Sequence, residues 1–281
     1  MSESYKLYVV EGSDKPIDLL LKHARYQTTS ISEADFIVYP CLVTGGRDVR
    51  GTTAKIFRQY HSYDKKVIVF ILSDYEGRYP FHGNLYLLRT SALADQLAIN
   101  ERILPYLWEC KHEPFAPILP TDSPSIGFCG LVSKPRKKLV SAFENSALMN
   151  CNFIKRNSFW GGKPQDAGLR SDFWNNLQEN QFALAPRGAG NFSMRFYQAL
   201  SVGRIPVLIN TNTALPFSNW IPWKKFIVLE NTEEQCIHTV REIHEAGQVR
   251  TMQEMCYRIF HEYLSPRVFL ARLLHQLKYG G

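Results

Sequence analysis

No stretch of this 281-residue chain is apolar enough to cross a membrane. Its longest clean aliphatic and aromatic run, Val67–Leu72, falls far short of the roughly 20 residues that a spanning helix needs. A secretory signal is missing too: MSESYKLYVV starts polar, and its apolar part is short. Cysteines are few and scattered. Cys41, Cys110, Cys129, Cys151, Cys236 and Cys256 include no CxxC pair. That argues against a zinc site or a disulfide framework and for reduced, buried thiols. The expectation is a cytoplasmic protein without an anchor.

Nucleotide and metal signatures are missing as well. The eight histidines show no HxH or HExxH grouping, no Asp-x-Asp pair occurs, and no GxxxxGKS/T phosphate loop is present. No bound metal is expected, and no internal repeat or low-complexity tract appears.

What is present is a substantial core. Hydrophobic residues make up 45% and aromatics 13% of the chain, and the length suggests about two domains. The net charge of +7 points to an anionic partner: nucleic acid, a membrane surface or a phosphorylated small molecule. The plain alternative is a basic soluble surface.

Short apolar segments alternate with amphipathic ones. KLYVVEG (6–12), ADFIVYPCL (34–42), KVIVFILSD (66–74) and NLYLLRTS (84–91) read as strands, and IDLLLKHARY and TTAKIFRQYHSY as helices. DQLAINERILPYLWE reads as a further helix. This pattern predicts a parallel sheet covered on both faces. The proline-rich KHEPFAPILPTDSPS (111–125) interrupts it, and a second αβ set follows. The predicted architecture is α/β, with a first lobe at 1–115, a linker at 116–124 and a second lobe at 125–264. A terminal helix at 265–281 is expected to pack back on the first lobe. Ligands in such sheets sit at the carboxyl ends of strands, here in the cleft between the lobes.

The densest signal is LAPRGAGNFSMRFYQALSVGRIPVLI, residues 184–209. An apolar strand enters a glycine loop, a helix follows, and a strand leaves. A helix start attracts anions through its first-turn N–H groups and dipole. Gly188 and Gly190 permit close backbone approach, and Asn191 or Ser193 can cap the helix. Arg187 and Arg195 bracket the loop with planar, permanently charged forks suited to phosphate. Gln198 lies one turn beyond Arg195. SKPRKK (133–138) brings Arg136 toward the same place, or is a solvated helix start. The plain alternative for the whole loop is a well-capped βα turn.

These residues carry a resemblance. FALAPRGAGNFSMRFYQALSVGRIPVLI, continued by TNTALPFSNWIPWKKFIVL, resembles the donor-binding core of the exostosin family, glycosyltransferase family 47. The family shows an Arg-Gly-x-Gly loop, then Ser-x-Arg-Phe-Tyr-Glu-x-Leu, then Gly-x-Ile-Pro-Val. The likeness is strong over 182–229; ADFIVYP, LLRTS, NERILPYLW and GFCG resemble further family segments in order. The small size is similar to compact bacterial or viral members, xylosyltransferases of algal viruses among them. The resemblance implies a GT-B fold of two Rossmann-like lobes and an inverting sugar transfer from a nucleotide donor, with UDP-xylose suggested by the viral members. One departure matters: the family's Glu is Gln198 here, which can hydrogen-bond a hydroxyl but cannot act as a carboxylate.

Such a transfer needs charge stabilisation for the leaving diphosphate and a base for the acceptor hydroxyl. Without Asp-x-Asp, arginines and a helix start can replace a metal, so the expected cofactor set is empty beyond the UDP-sugar itself. The base is expected on the first lobe. Asp74, just past an apolar strand, is the leading candidate, with Glu76, Asp48 and Glu101 behind it. Arg89 and Thr90 are candidates for acceptor contact, or Arg89 forms a structural salt bridge. Trp160, Trp220 and Trp223 either stack on ligand or pack in the core. The expected partners are a nucleotide sugar and a glycan, not nucleic acid. Two rivals stand beside this reading: a basic nucleic-acid binder, which would show steep salt dependence on long polyanions, and a sugar-nucleotide-binding protein without catalysis.

Overall fold

The apolar run Val67–Leu72 becomes the middle of a sheet because both of its faces are covered. In a computed structural model, the described residues are 4–12, 14–24, 26–44, 46–80, 82–107, 109–119 and 121–280, without the side chains of 46–48 and 135. The first lobe runs β1 (Tyr5–Val9), α1 (Lys15–His23), β2 (Tyr26–Thr28), β3 (Phe36–Thr44), α2 (Gly46–Tyr60), β4 (Lys66–Leu72), β5 (Leu85–Arg89) and β6 (Glu101–Ile103). All its strands pair in parallel, in the order β2-β1-β3-β4-β5-β6. The apolar side chains of β4 from Val67 to Ile71 are fully buried, as two-sided cover requires.

The second lobe runs β7 (Ser125–Leu131), α3 (Lys134–Glu144), β8 (Asn150–Arg156), α4 (Ala167–Gln178), β9 (Phe182–Leu184), α5 (Met194–Ser201), β10 (Ile205–Ile209), β11 (Val228–Glu230), α6 (Glu233–Glu245) and α7 (Val249–Ile259). Its sheet is again parallel, in the order β8-β7-β9-β10-β11. Both sheets share one winding, in which the chain reverses direction across the sheet beside the first strand. In the second lobe that switch lies between β7 and β9, where open α/β sheets form a ligand crevice. The two Rossmann-like lobes of the GT-B arrangement are thus present. No helix among the described residues is long and apolar enough to cross a membrane.

The terminal helix α8 (Phe269–Tyr279) returns to the first lobe. There the Lys278 ammonium pairs with Asp35 at 3.1 Å, and Lys66 Nζ donates to the carbonyl of Leu277. One core runs through both lobes, joining Leu7, Phe70 and Leu88 to Phe128, Phe196 and Leu273.

Up to Ser125, where β7 begins, the proline-rich connection forms no helix or strand among its described residues. It is nevertheless tied to the second lobe. Arg204 donates to the carbonyl of Ala116 at 3.0 Å, and the Ile118 amide donates to Gln253 at 3.0 Å. Gly203, at φ 67°, ends α5 where a Cβ would lie 2.7 Å from Phe115.

One expected helix does not form. Over 95–109 the described residues instead make a 3-10 turn at Ala94–Gln96 and the short strand β6. Pairing with β5, and burial of Glu101 against Arg89, override the helical spacing of the apolar residues. Pro105 would also interrupt a helix carried through this segment.

Candidate active site

The loop between β9 and α5 closes on itself through Gly188, whose amide donates to the carbonyl of Phe192 at 2.9 Å. At Gly190 the two lobes meet. A Cβ there would lie 2.8 Å from Asp74 Oδ1 and 2.9 Å from Asp74 Cα, so only glycine lets the loop backbone come this close to the first lobe. Ser193 is the N-cap residue of α5 in extended conformation, and its side chain makes no capping hydrogen bond. Ser193, Met194 and Arg195 line a cleft of about 590 Å³, within the usual size of a small-molecule site.

Arg195 is the unusual group in this cleft. It lies on an eight-residue helix whose stripe of Phe196, Ala199 and Leu200 is buried, and it is itself only 9% exposed. Its Nη1 donates to the carbonyl of Leu184 at 3.4 Å, and its Nη2 donates to the carbonyl of Cys129. The Nε has no hydrogen-bond partner. The guanidinium lies 4.5 Å from the Phe128 ring centroid. Gly130 makes the room, since a Cβ there would lie 2.7 Å from Nη2. Burial, and secondarily the nearby cations Arg136 and Arg156, push the guanidinium down to about 9. It remains charged at neutral pH, and its partners are strand-end carbonyls and rings rather than a carboxylate. A buried cation without a counter-ion is costly, and an anion in the cleft would relieve that cost.

Two further arginines line the same space. Arg136, near the start of α3, donates to the carbonyls of Arg187 and Leu131, each at 3.1 Å, and burial lowers its pKa. Arg156, at the carboxyl end of β8, also lines the cleft. It holds the carbonyl of Leu169 at 2.7 Å and reaches Asp172 at 3.5 Å. Sequence reasoning missed Arg156, although the strand ending FIKR was the signal: a basic residue at a strand's carboxyl end faces the crevice. Gln198 lines the cleft from α5, 1% exposed, with its amide 3.4 Å from the Glu109 carbonyl.

Other expected site residues are used differently. Arg187 does not line this cleft. It turns to the first lobe and grips Glu76 at 2.6 and 3.3 Å, so the sequence pair offered as phosphate clamp and base forms an interlobe ion pair. Asn191 is not the cap of α5, a place that Ser193 takes. Its amide accepts Thr211 at 2.5 Å and donates to Thr211 at 3.0 Å, while its backbone N–H donates to Ser91 at 2.8 Å. Through these partners it clamps loop to loop.

Arg89 and Glu101 do not face an acceptor either. Both side chains are 2% exposed and pair at 2.9 Å, which is the structural salt bridge. Arg89 also donates to the carbonyls of Tyr75 and Gly77, each at 2.8 Å. Thr90 is buried, its hydroxyl donating to the Ser73 carbonyl at 3.0 Å. The side chain of Asp48 lies outside the described residues. Trp223 is a core residue whose indole donates to the Pro216 carbonyl at 2.9 Å. Trp220 stacks on Phe217 with centroids 5.3 Å apart. Trp160, by contrast, lines the cleft.

Asp74 keeps its predicted position. It follows β4 by two residues, its side chain is exposed, and it is the carboxylate among the described residues that line the cleft.

The fold and the cleft define a two-lobed GT-B protein whose second lobe presents buried, unpaired positive charge at a parallel-sheet switch point. A family model described as the Exostosin GT47 domain matches residues 131–243, and the chain is exostosin-like there. Similar proteins include Exostosin-1a of Danio rerio, 32% identical over 98 residues, which is 34% of this chain and 13% of the relative. Exostosin-1 of Drosophila melanogaster is 45% identical over 56 residues, covering 20% of this chain and 7% of the relative. The chain thus spans a small fraction of the length of these curated relatives. Among solved structures, the crystal structure of TarM superposes with a TM-score of 0.48 and 11% identity, covering 86% of this chain and 55% of that one.

Proposed function

We propose that this protein is a glycosyltransferase that moves a sugar from a UDP-sugar to a glycan hydroxyl, with inversion and without a bound metal. The observation that carries the reading is Arg195: a buried, carboxylate-free guanidinium at the start of α5, inside the exostosin-like segment. Arg136 and Arg195 take the diphosphate of the donor on the second lobe, 125–264. As the sugar leaves, charge builds on the diphosphate, and fixed cations in a partly dry site stabilise that charge without reorganising. Asp74 receives the acceptor's proton from the first lobe, 1–115. The resemblance to compact viral members suggests UDP-xylose as donor. The six free thiols fit a reducing compartment such as the cytoplasm.

A basic cleft favours this reading over nucleic-acid binding, because its arginines converge on one concave site instead of forming a stripe. A panel of nucleotide sugars tests it. Several UDP-sugars raise the melting temperature, one of them is hydrolysed slowly, and transfer from it gives the opposite anomeric configuration by NMR. Failure of every nucleotide sugar to stabilise the protein overturns the proposal.

Metal independence has its own expected result. Turnover persists in excess EDTA, because arginines supply the charge that a divalent ion supplies elsewhere. Complete loss in EDTA, restored by added magnesium or manganese, means a metal holds the diphosphate.

A further inference from the structure

Beyond Arg195 the cleft wall changes from charge to rings. The Phe173 ring lies 5.6 Å from the Arg195 guanidinium. Trp160 follows at 5.8 Å from Phe173, and Phe159 at 6.0 Å from Trp160. Of the large apolar side chains left exposed among the described residues, Phe159 is the one that lines the cleft, and it is 61% exposed. Leaving a phenyl ring in water forgoes its burial, and here the open ring faces the cleft.

The backbone beneath these rings is held in a costly shape. Trp160 sits at φ 52°, ψ 27°, in the left-handed region, followed by Gly161 at φ 64° and Gly162 at φ 77°. A bulky residue there is a genuine outlier, and such strain persists only where the surroundings enforce it. Here they do. The Gly161 amide donates to the Ser158 carbonyl at 3.1 Å, and the Lys163 amide donates to the Trp160 carbonyl at 3.2 Å. The Arg170 guanidinium stands 5.2 Å from the Trp160 ring centroid, itself paired with Glu109 at 2.8 Å. A strained, fixed turn thus displays an exposed aromatic ring in the same cleft as Arg195 and Arg136, with Phe173 between them.

We propose that the Phe159–Trp160 turn is a stacking platform for the nucleobase of the donor. The inference rests on the glycosyltransferase reading and adds residues to it. Phosphates against Arg195 and Arg136 place the ribose over Phe173 and bring the base to the exposed ring. Stacking accepts any base, since every base has a π-face; the platform therefore contributes affinity and leaves the choice of uracil to other contacts.

Calorimetry with the full chain tests this, using UDP and inorganic pyrophosphate as probes. Phe159→Ala weakens UDP binding about tenfold and leaves pyrophosphate binding unchanged; Phe159→Tyr, which keeps the ring, retains wild-type UDP affinity. The side chain is exposed, so folding is not at stake. Unchanged UDP affinity in Phe159→Ala overturns the platform. So does an effect confined to the KM for acceptor, which would make the turn an acceptor contact. Wild-type protein that binds neither UDP nor pyrophosphate overturns the glycosyltransferase reading itself, and the platform with it. Wild-type protein that binds pyrophosphate as tightly as UDP overturns the platform alone.

Discussion

Asp74→Asn lowers turnover about a hundredfold or more, the usual contribution of a general base, while UDP affinity stays at its wild-type value. The amide keeps the shape of the carboxylate but cannot accept the acceptor's proton. The expectation rests on position and on elimination. Glu76 is held by Arg187, and Glu101 is buried against Arg89. Asp74 alone among these three lines the cleft, where its Oδ1 packs against the backbone of Gly190. Its loop is held from below. Thr90 ties Ser73, the Ser91 hydroxyl donates to the Asp74 carbonyl at 3.3 Å, and Arg89 holds the carbonyls of Tyr75 and Gly77. Arg89, Thr90 and Ser91 thereby fix the backbone on both sides of Asp74. Steady-state kinetics with saturating donor, paired with UDP calorimetry, decides the matter. Near-normal kcat in the variant removes Asp74 from the mechanism, and loss of UDP binding relocates it to the donor site.

The second large effect is at Arg195. Arg195→Met weakens UDP binding by about 2 kcal/mol, roughly thirtyfold, the scale of a charged hydrogen bond to phosphate. The ligand-free protein melts no lower than wild type. The two outcomes have one cause. The guanidinium is buried without a carboxylate, and its depressed pKa marks an environment that disfavours its charge. Replacing it with an apolar side chain of similar length removes that desolvation cost. The loss of hydrogen bonds to the Leu184 and Cys129 carbonyls opposes the gain, but neutral replacement of buried ionic groups is commonly tolerated or stabilising. Calorimetry and thermal melts on the same preparation measure both. Unchanged UDP affinity in a folded variant refutes the assignment of Arg195 to the diphosphate. A large drop in melting temperature shows that the arginine is structural.

Local patterning made much of the fold legible. Short apolar runs such as Val67–Leu72 are buried strands wherever they pair, and helical stripes such as Phe196, Ala199 and Leu200 face the core. The glycine loop before α5 was readable because a strand, a turn and a helix start are contiguous in the chain. Asp74 was readable because a polar residue just past an apolar strand falls at the sheet's carboxyl edge. The helix expected across 95–109 fails because strand pairing is non-local: only the register of β6 on β5 brings Glu101 to Arg89.

The sequence alone therefore determined the α/β class, the strand-loop-helix module and its wealth of arginine. Tertiary structure alone decided which charges are free. Arg187 and Arg195 look equivalent in the chain, eight residues apart on one loop and helix. Glu76, 111 residues distant in sequence, neutralises the first, while the second points between β7 and β9 at carbonyls and rings. An ion pair depends on distances of a few ångströms between side chains on different lobes. Those distances are set by how two sheets close on each other, and no local pattern of residues encodes them.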